Sequence, residues 1–175
     1  MNGTSKISQT LVGGLILLGV IARLVPHPWN ASPVAAIALF GGAWLSKRWS
    51  LILPLAIMAL SDLFLGLHAT IPFTWGAFAL TGLLGWWIRR APTPTRILAG
   101  ALTGSALFFL LTNFGVWLVG GLYPRTLEGL WTCYIAAIPF VRATVLGDVV
   151  WTTALFGAYA LITTARWTRS PARSV

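Results

Sequence analysis

The sequence predicts an all-α membrane protein, a bundle of six transmembrane helices forming one integral domain over residues 1–175. Composition is the first observation behind it: 57% of residues are apolar, 9% are charged and mean hydropathy is +0.83, far from the balance of an ordinary soluble domain. The second is the placement of positive charge. Nine of the twelve basic residues lie in alternate gaps between apolar stretches, at Lys6, Lys47-Arg48, Arg89-Arg90 with Arg96, and Arg166, Arg169 and Arg173. The intervening gaps, 26–31, 66–70 and 120–132, hold Arg125 as their one Lys or Arg. In short loops a Lys/Arg excess marks the cytoplasmic side, so one pattern predicts span number and orientation together.

Backbone groups have no water to bond in lipid, so near-continuous apolar runs are read as helices. The first run, 9–25, follows Lys6 in the manner of a signal peptide. Arg23, Pro26 and His27 stand where a small-residue cleavage site would be needed, so it is read as a retained span. The second, 32–45, is the short one. Its fourteen residues reach only ~21 Å at ~1.5 Å per residue, against a core of ~30 Å, and Pro26, Pro28 and Pro33 crowd its start. A re-entrant half-helix is the alternative. Parity favours a crossing, because only then do all nine basic residues share one side. The third, fourth, fifth and sixth runs are 50–67, 70–88, 97–121 and 134–164. The last two exceed what a bilayer core needs and are expected to tilt or project. Residues 1–8 and 166–175 are short polar tails, both cytoplasmic in this scheme. Small residues recur four apart at Ala31/Ala35, Ala38/Gly42 and Gly100/Gly104, a spacing that lets helix backbones approach; packing within the chain is favoured over a partner interface.

A net charge of +9 raises nucleic acid as a partner. Here the basic residues flank apolar spans in pairs and triplets, so topology and contact with anionic headgroups of the lipid bilayer account for them, and no nucleic acid is expected. A single cysteine excludes an internal disulfide and a zinc cluster. No serine triad, HExxH, phosphate-cradling glycine loop or nucleotide motif is present, so no enzyme is predicted.

Polar groups at membrane depth are costly and are the default functional candidates. With the orientation above, Arg23 falls near the outer end of the first span, Asp62 one turn from the outer end of the third, Asn113 in the outer half of the fifth and Arg142 about two turns into the sixth. These four residues share one layer, capped by His27, His68, Glu128 and Cys133 in the outer loops. The inner half is almost wholly apolar, so a polar cavity open to the outside is expected. Asp62 and Arg142 are predicted to pair, either within that cavity or as an ion pair that only fixes helix register. Asp148 lies deeper, about 120° around the helix from Arg142, and needs a partner of its own: a hydroxyl such as Thr112, a backbone amide, or a proton. Cys133 is either a small hydrophobe in packing or a soft ligand at the cavity mouth. Trp29, Trp75, Trp117, Trp131, Tyr123 and Tyr134 gather at the outer boundary as an interfacial belt, with some of them available to line a flat-ligand pocket.

Several stretches carry a resemblance. RLVPHPWNASPVAAIALFGGA at 23–43, LSDLFLG at 60–66, TNFGVW at 112–117, CYIAAIPF at 133–140 and Gly147-Asp148 resemble an uncharacterised family of small bacterial inner-membrane proteins, over most of residues 20–160. More distantly, the six-span layout and the Ala-Leu-Phe-Gly-Gly run at 38–42 resemble S-components, the substrate-binding subunits of energy-coupling-factor vitamin transporters. That resemblance implies an S-component-like fold, a vitamin or cofactor-like ligand bound from the outer side, multi-pass residence in the bacterial cell inner membrane, and a coupling subunit with an ATPase module as partners. The Ala-x-x-x-Ala docking motif of the S-component first helix has no counterpart in 9–25. One solitary S-component-like family takes up cobalamin with a cysteine towards the cobalt, which makes cobalamin the candidate substrate and Cys133 the candidate cofactor-metal ligand; no intrinsic cofactor is implied.

The resulting expectation is a membrane-embedded substrate-binding and transport protein. Its ligand site would comprise Arg23, His27, Trp29, Asp62, His68, Asn113, Trp117, Trp131, Tyr134, Arg142 and Asp148. The alternative is a non-transporting scaffold or assembly subunit in which the polar layer serves packing.

Overall fold

A computed structural model describes residues 3–26, 31–46 and 48–168, and within them every element of regular structure is a helix. Six helices follow one another: α1 (Gly3–Leu24), α2 (Val34–Trp44), α3 (Trp49–Leu65), α4 (Ile71–Arg89), α5 (Pro94–Val119) and α6 (Leu127–Thr168). Three are long and apolar enough to cross a membrane, namely α4, α5 and the Leu127–Thr163 part of α6; the apolar parts of α1, α2 and α3 are shorter. The sixth helix starts seven residues earlier than its apolar run suggested. Glu128 and Thr132 belong to its first turns, and a helix continues through polar residues when nothing breaks it.

Local chemistry sets the ends. Thr93 caps α5, its hydroxyl accepting from Arg96 N at 3.3 Å, and Pro94 occupies the first turn, where its missing N–H costs nothing. Gly66 closes α3 at φ +95°, a left-handed conformation that glycine adopts without penalty, while its N–H donates to the Asp62 carbonyl at 2.9 Å.

The centre of the molecule is α2. Every residue from Val34 to Ala43 is buried, which is what a helix apolar on all sides requires. It packs on all five others, chiefly α4, α3 and α6. Its seam with α4 runs on bare backbone. A Cβ added at Gly42 would stand 2.2 Å from the Gly82 carbonyl oxygen, one at Gly85 2.2 Å from Leu39 O, and one at Gly82 1.9 Å from Ser50 O at the start of α3. Gly42 therefore packs within the chain, as do Gly100 against Ile88 and Gly104 against Thr81. Aromatic contacts tie α2 to the later part of α6: Trp44 stacks on Tyr159 with ring centroids 4.6 Å apart, and Phe40 meets Phe156 edge-on at 5.5 Å.

Around α2 the other helices run in the order α1, α3, α4, α5, α6, each packing on the next. The ring does not close. Among the described residues α1 and α6 do not meet, and Arg23 of α1 and Asp148 of α6 line one cavity.

Candidate functional site

Two adjacent cavities of about 180 and 280 Å³ lie between these helices and share Thr74, Phe108 and Thr144 as walls. Arg23 of α1 lines the smaller one together with Thr144 and Asp148 of α6, so it sits where the ring is open. Phe78 of α4 and Phe108 of α5 form its apolar side, their rings 5.2 Å apart. The larger cavity lies between α5 and α6 and takes Thr112, Asn113, Val116 and Phe140 into its wall.

Arg23 anchors one edge. Its guanidinium forms an ion pair with Asp62, Nη1 lying 2.8 Å from Oδ1, and donates to the hydroxyl of Ser61. Ser61 passes its own proton to Ile57 O at 2.6 Å, and Trp75 Nε1 donates to Asp62 Oδ2 at 2.9 Å. With 1% of its side chain exposed, Asp62 is held by an ion pair and an indole N–H. A carboxylate removed from water needs such partners to remain charged.

Asp148 is 3% exposed and lies in the wall of the smaller cavity. Ser105 Oγ is 2.6 Å from its Oδ2 and 3.1 Å from Ala101 O. One hydroxyl proton faces two acceptors. It goes to Asp148 when the carboxylate is ionised, and to Ala101 O when a protonated carboxyl donates to the serine instead. Among the described residues no cation pairs with Asp148.

Several expected site residues stand elsewhere. Arg142 does not reach Asp62. It lies on the exposed side of α6 in register with Ile138, Leu146 and Val150, which are all exposed at four-residue spacing, whereas Val141, Thr144 and Asp148 face inward. The depth of Arg142 placed it in the polar layer; its angle around the helix takes it out, and Arg23 supplies the charge that Asp62 requires. Cys133 is not at a wet cavity mouth. It is 2% exposed in the α5–α6 seam, with Sγ 3.4 Å from Asn113 O, and packs there as a small hydrophobe. Among the described residues no three His, Cys, Asp or Glu side chains gather as a metal site.

Trp131, 71% exposed, and Tyr134, whose hydroxyl donates to Leu110 O at 2.7 Å, border an apolar groove on the outer surface of α5 and α6. Trp117 Nε1 donates to Pro124 O at 3.0 Å and ties down the α5–α6 turn. His68 is exposed, with Nδ1 2.7 Å from the Thr70 hydroxyl. His27 and Trp29 lie outside the described residues. Arg23, Asn113 and Asp148 are thus the expected residues that line the cavities, with Asp62 directly behind Arg23. Ser32, Thr74, Ser105 and Thr144 were missed. The signal lay in the four-residue spacing of Thr144 and Asp148, and in Ser105 and Thr112 sharing one face of α5 with Phe108.

The chain belongs to the DUF6580 family, a family of unknown function, whose profile matches residues 4–172. No curated protein and no solved structure is significantly similar to it.

Proposed function

We propose that this member of the family is a six-span protein of the bacterial inner membrane, with both termini cytoplasmic, that binds a small molecule from the outer side and serves its transport. The observation that carries this reading is the paired cavity at the open edge of the helix ring, walled by Arg23 and the buried Asp148. A packed scaffold has no use for a buried carboxylate facing open volume, because such a group costs stability unless something occupies the site. Orientation supports it as well: Arg23 and Asp62 lie at the helix ends opposite the Lys/Arg clusters. The S-component resemblance agrees with a binding role. The cavities favour a ligand smaller than a corrinoid, and with Cys133 packed away, cobalamin is not carried forward. The test is purification in mild detergent followed by native mass spectrometry and a thermal-shift screen of small metabolites. A retained or stabilising small molecule, lost on Asp148→Asn, is expected; a chain that neither retains nor responds to any small molecule would sink the transport reading.

A second reading, an assembly subunit, is favoured by Arg142. A cation in an exposed apolar helix face is expensive in lipid, and a neighbouring membrane protein with an acidic group would relieve it.

A further inference from the structure

Resting on the pocket reading above, we infer that the ligand is a small organic monocation, a protonated amine with an apolar body, whose ammonium group sits against Asp148 and whose body extends into the larger cavity.

Hydrogen-bond bookkeeping of the walls carries the inference. Thr74 spends its hydroxyl proton on Thr70 O at 3.2 Å, Thr112 on Phe108 O at 2.7 Å and Thr144 on Phe140 O at 3.2 Å. Each then offers the cavity lone pairs only. The amide of Asn113 gives one of its two N–H donors to Phe109 O at 2.8 Å and keeps its carbonyl oxygen and the other N–H. Asp148, when ionised, is acceptor-only. Arg23 and Ser32 bring donors to one edge of the smaller cavity, while the walls around Asp148 present mainly acceptors and suit a ligand that donates there.

Charge points the same way. Arg23 is neutralised by Asp62, so the ionised site carries one net negative charge, that of Asp148. Phe78 and Phe108 line the same cavity, and aromatic faces attract an ammonium group through their quadrupole. They make a poor shell for an inorganic cation, which takes six or more oxygen ligands. Beyond Phe108 the larger cavity is lined by Phe109, Val116, Ala137, Phe140 and Val141, a wall suited to a short alkyl or aryl group.

The experiment uses the full chain in detergent, with butyl-, hexyl- and 2-phenylethylammonium as probes. Their neutral counterparts are 1-butanol, 1-hexanol and 2-phenylethanol, and 3-phenylpropanoate is the anion. At least one ammonium probe should raise the melting temperature in a saturable way, while its alcohol and the anion do not. Asp148→Asn should weaken that probe about tenfold or more, since a charge-assisted hydrogen bond is lost. Arg142→Gln, outside the cavities, should leave binding unchanged. Should Asp148→Asn fail to fold, the comparison of ammonium with alcohol on the unaltered protein still decides. Equal binding of amine and alcohol would overturn the amine assignment and leave the pocket reading standing, as would preference for the anion, which would make Arg23 the anchor. Saturable stabilisation by sodium or potassium alone would replace the organic ligand with an ion. If no probe of any charge stabilises the protein, the amine assignment falls, and the pocket reading is then decided by the wider metabolite screen and native mass spectrometry.

Discussion

Arg23 and Asp62 are joined across two helices, with the carboxylate almost completely enclosed. Removing one partner strands the other, and in soluble proteins this costs on the order of 3–5 kcal/mol. Arg23→Gln and Asp62→Asn should each lower thermal stability in detergent. The double variant should lose clearly less than the sum, because neither charge is then orphaned. Arg142→Gln should change stability by no more than about 0.5 kcal/mol in detergent and should add simply to Asp62→Asn; coupling between those two would contradict the register of α6. Sequence reading placed Arg23, Asp62 and Asn113 in one layer because depth follows from position along a span. It chose the wrong partner for Asp62 because two residues at equal depth meet only if their helices are neighbours and correctly rotated. Among the described residues α3 and α6 do not pack on one another.

At the scale of the element, α2 is where local sequence and packing pull against each other. It is 11 residues long, about 16 Å at ~1.5 Å per residue, too short to span a bilayer core by itself. Its apolar character on every side is legible in the chain, and so is the outcome, enclosure by other helices. What lets it sit at the centre is the glycine seam with α4, of which only Gly42 had a visible spacing signal. Gly82 and Gly85, three apart, matter because of the backbones opposite them. Gly82→Ala should therefore be severe, since its Cβ would meet the Ser50 carbonyl, which cannot swing away as a side-chain tip can. A loss of about 3 kcal/mol or more is expected, at or above the upper end of ordinary overpacking. Gly13→Ala, with nothing within 4 Å of the added Cβ, should be neutral or mildly stabilising through helix propensity. Thermal unfolding of the two variants in the same detergent measures the contrast.

For the whole molecule, the distribution of Lys and Arg predicts that reporter fusions at residue 175 and within 47–50 read cytoplasmic, and that one within 125–128 reads external. Opposite compartments for the fusions at 50 and 175 would rule out six crossings and make α2 re-entrant. Helical class and element order were determined by the chain alone, because they follow from hydrophobicity counted along one dimension; the side of the basic clusters is what its charge pattern predicts. The opening between α1 and α6, the pairing of Arg23 with Asp62, the withdrawal of Cys133 and Arg142, and the meeting of Ser105 with Asp148 were decided by the tertiary structure. Each depends on which helices are neighbours and how each is turned about its axis. Those angles come from backbone contacts such as Gly82 on Ser50 and Gly147 on Ala31, between residues far apart in the chain, and no periodicity within one helix encodes them.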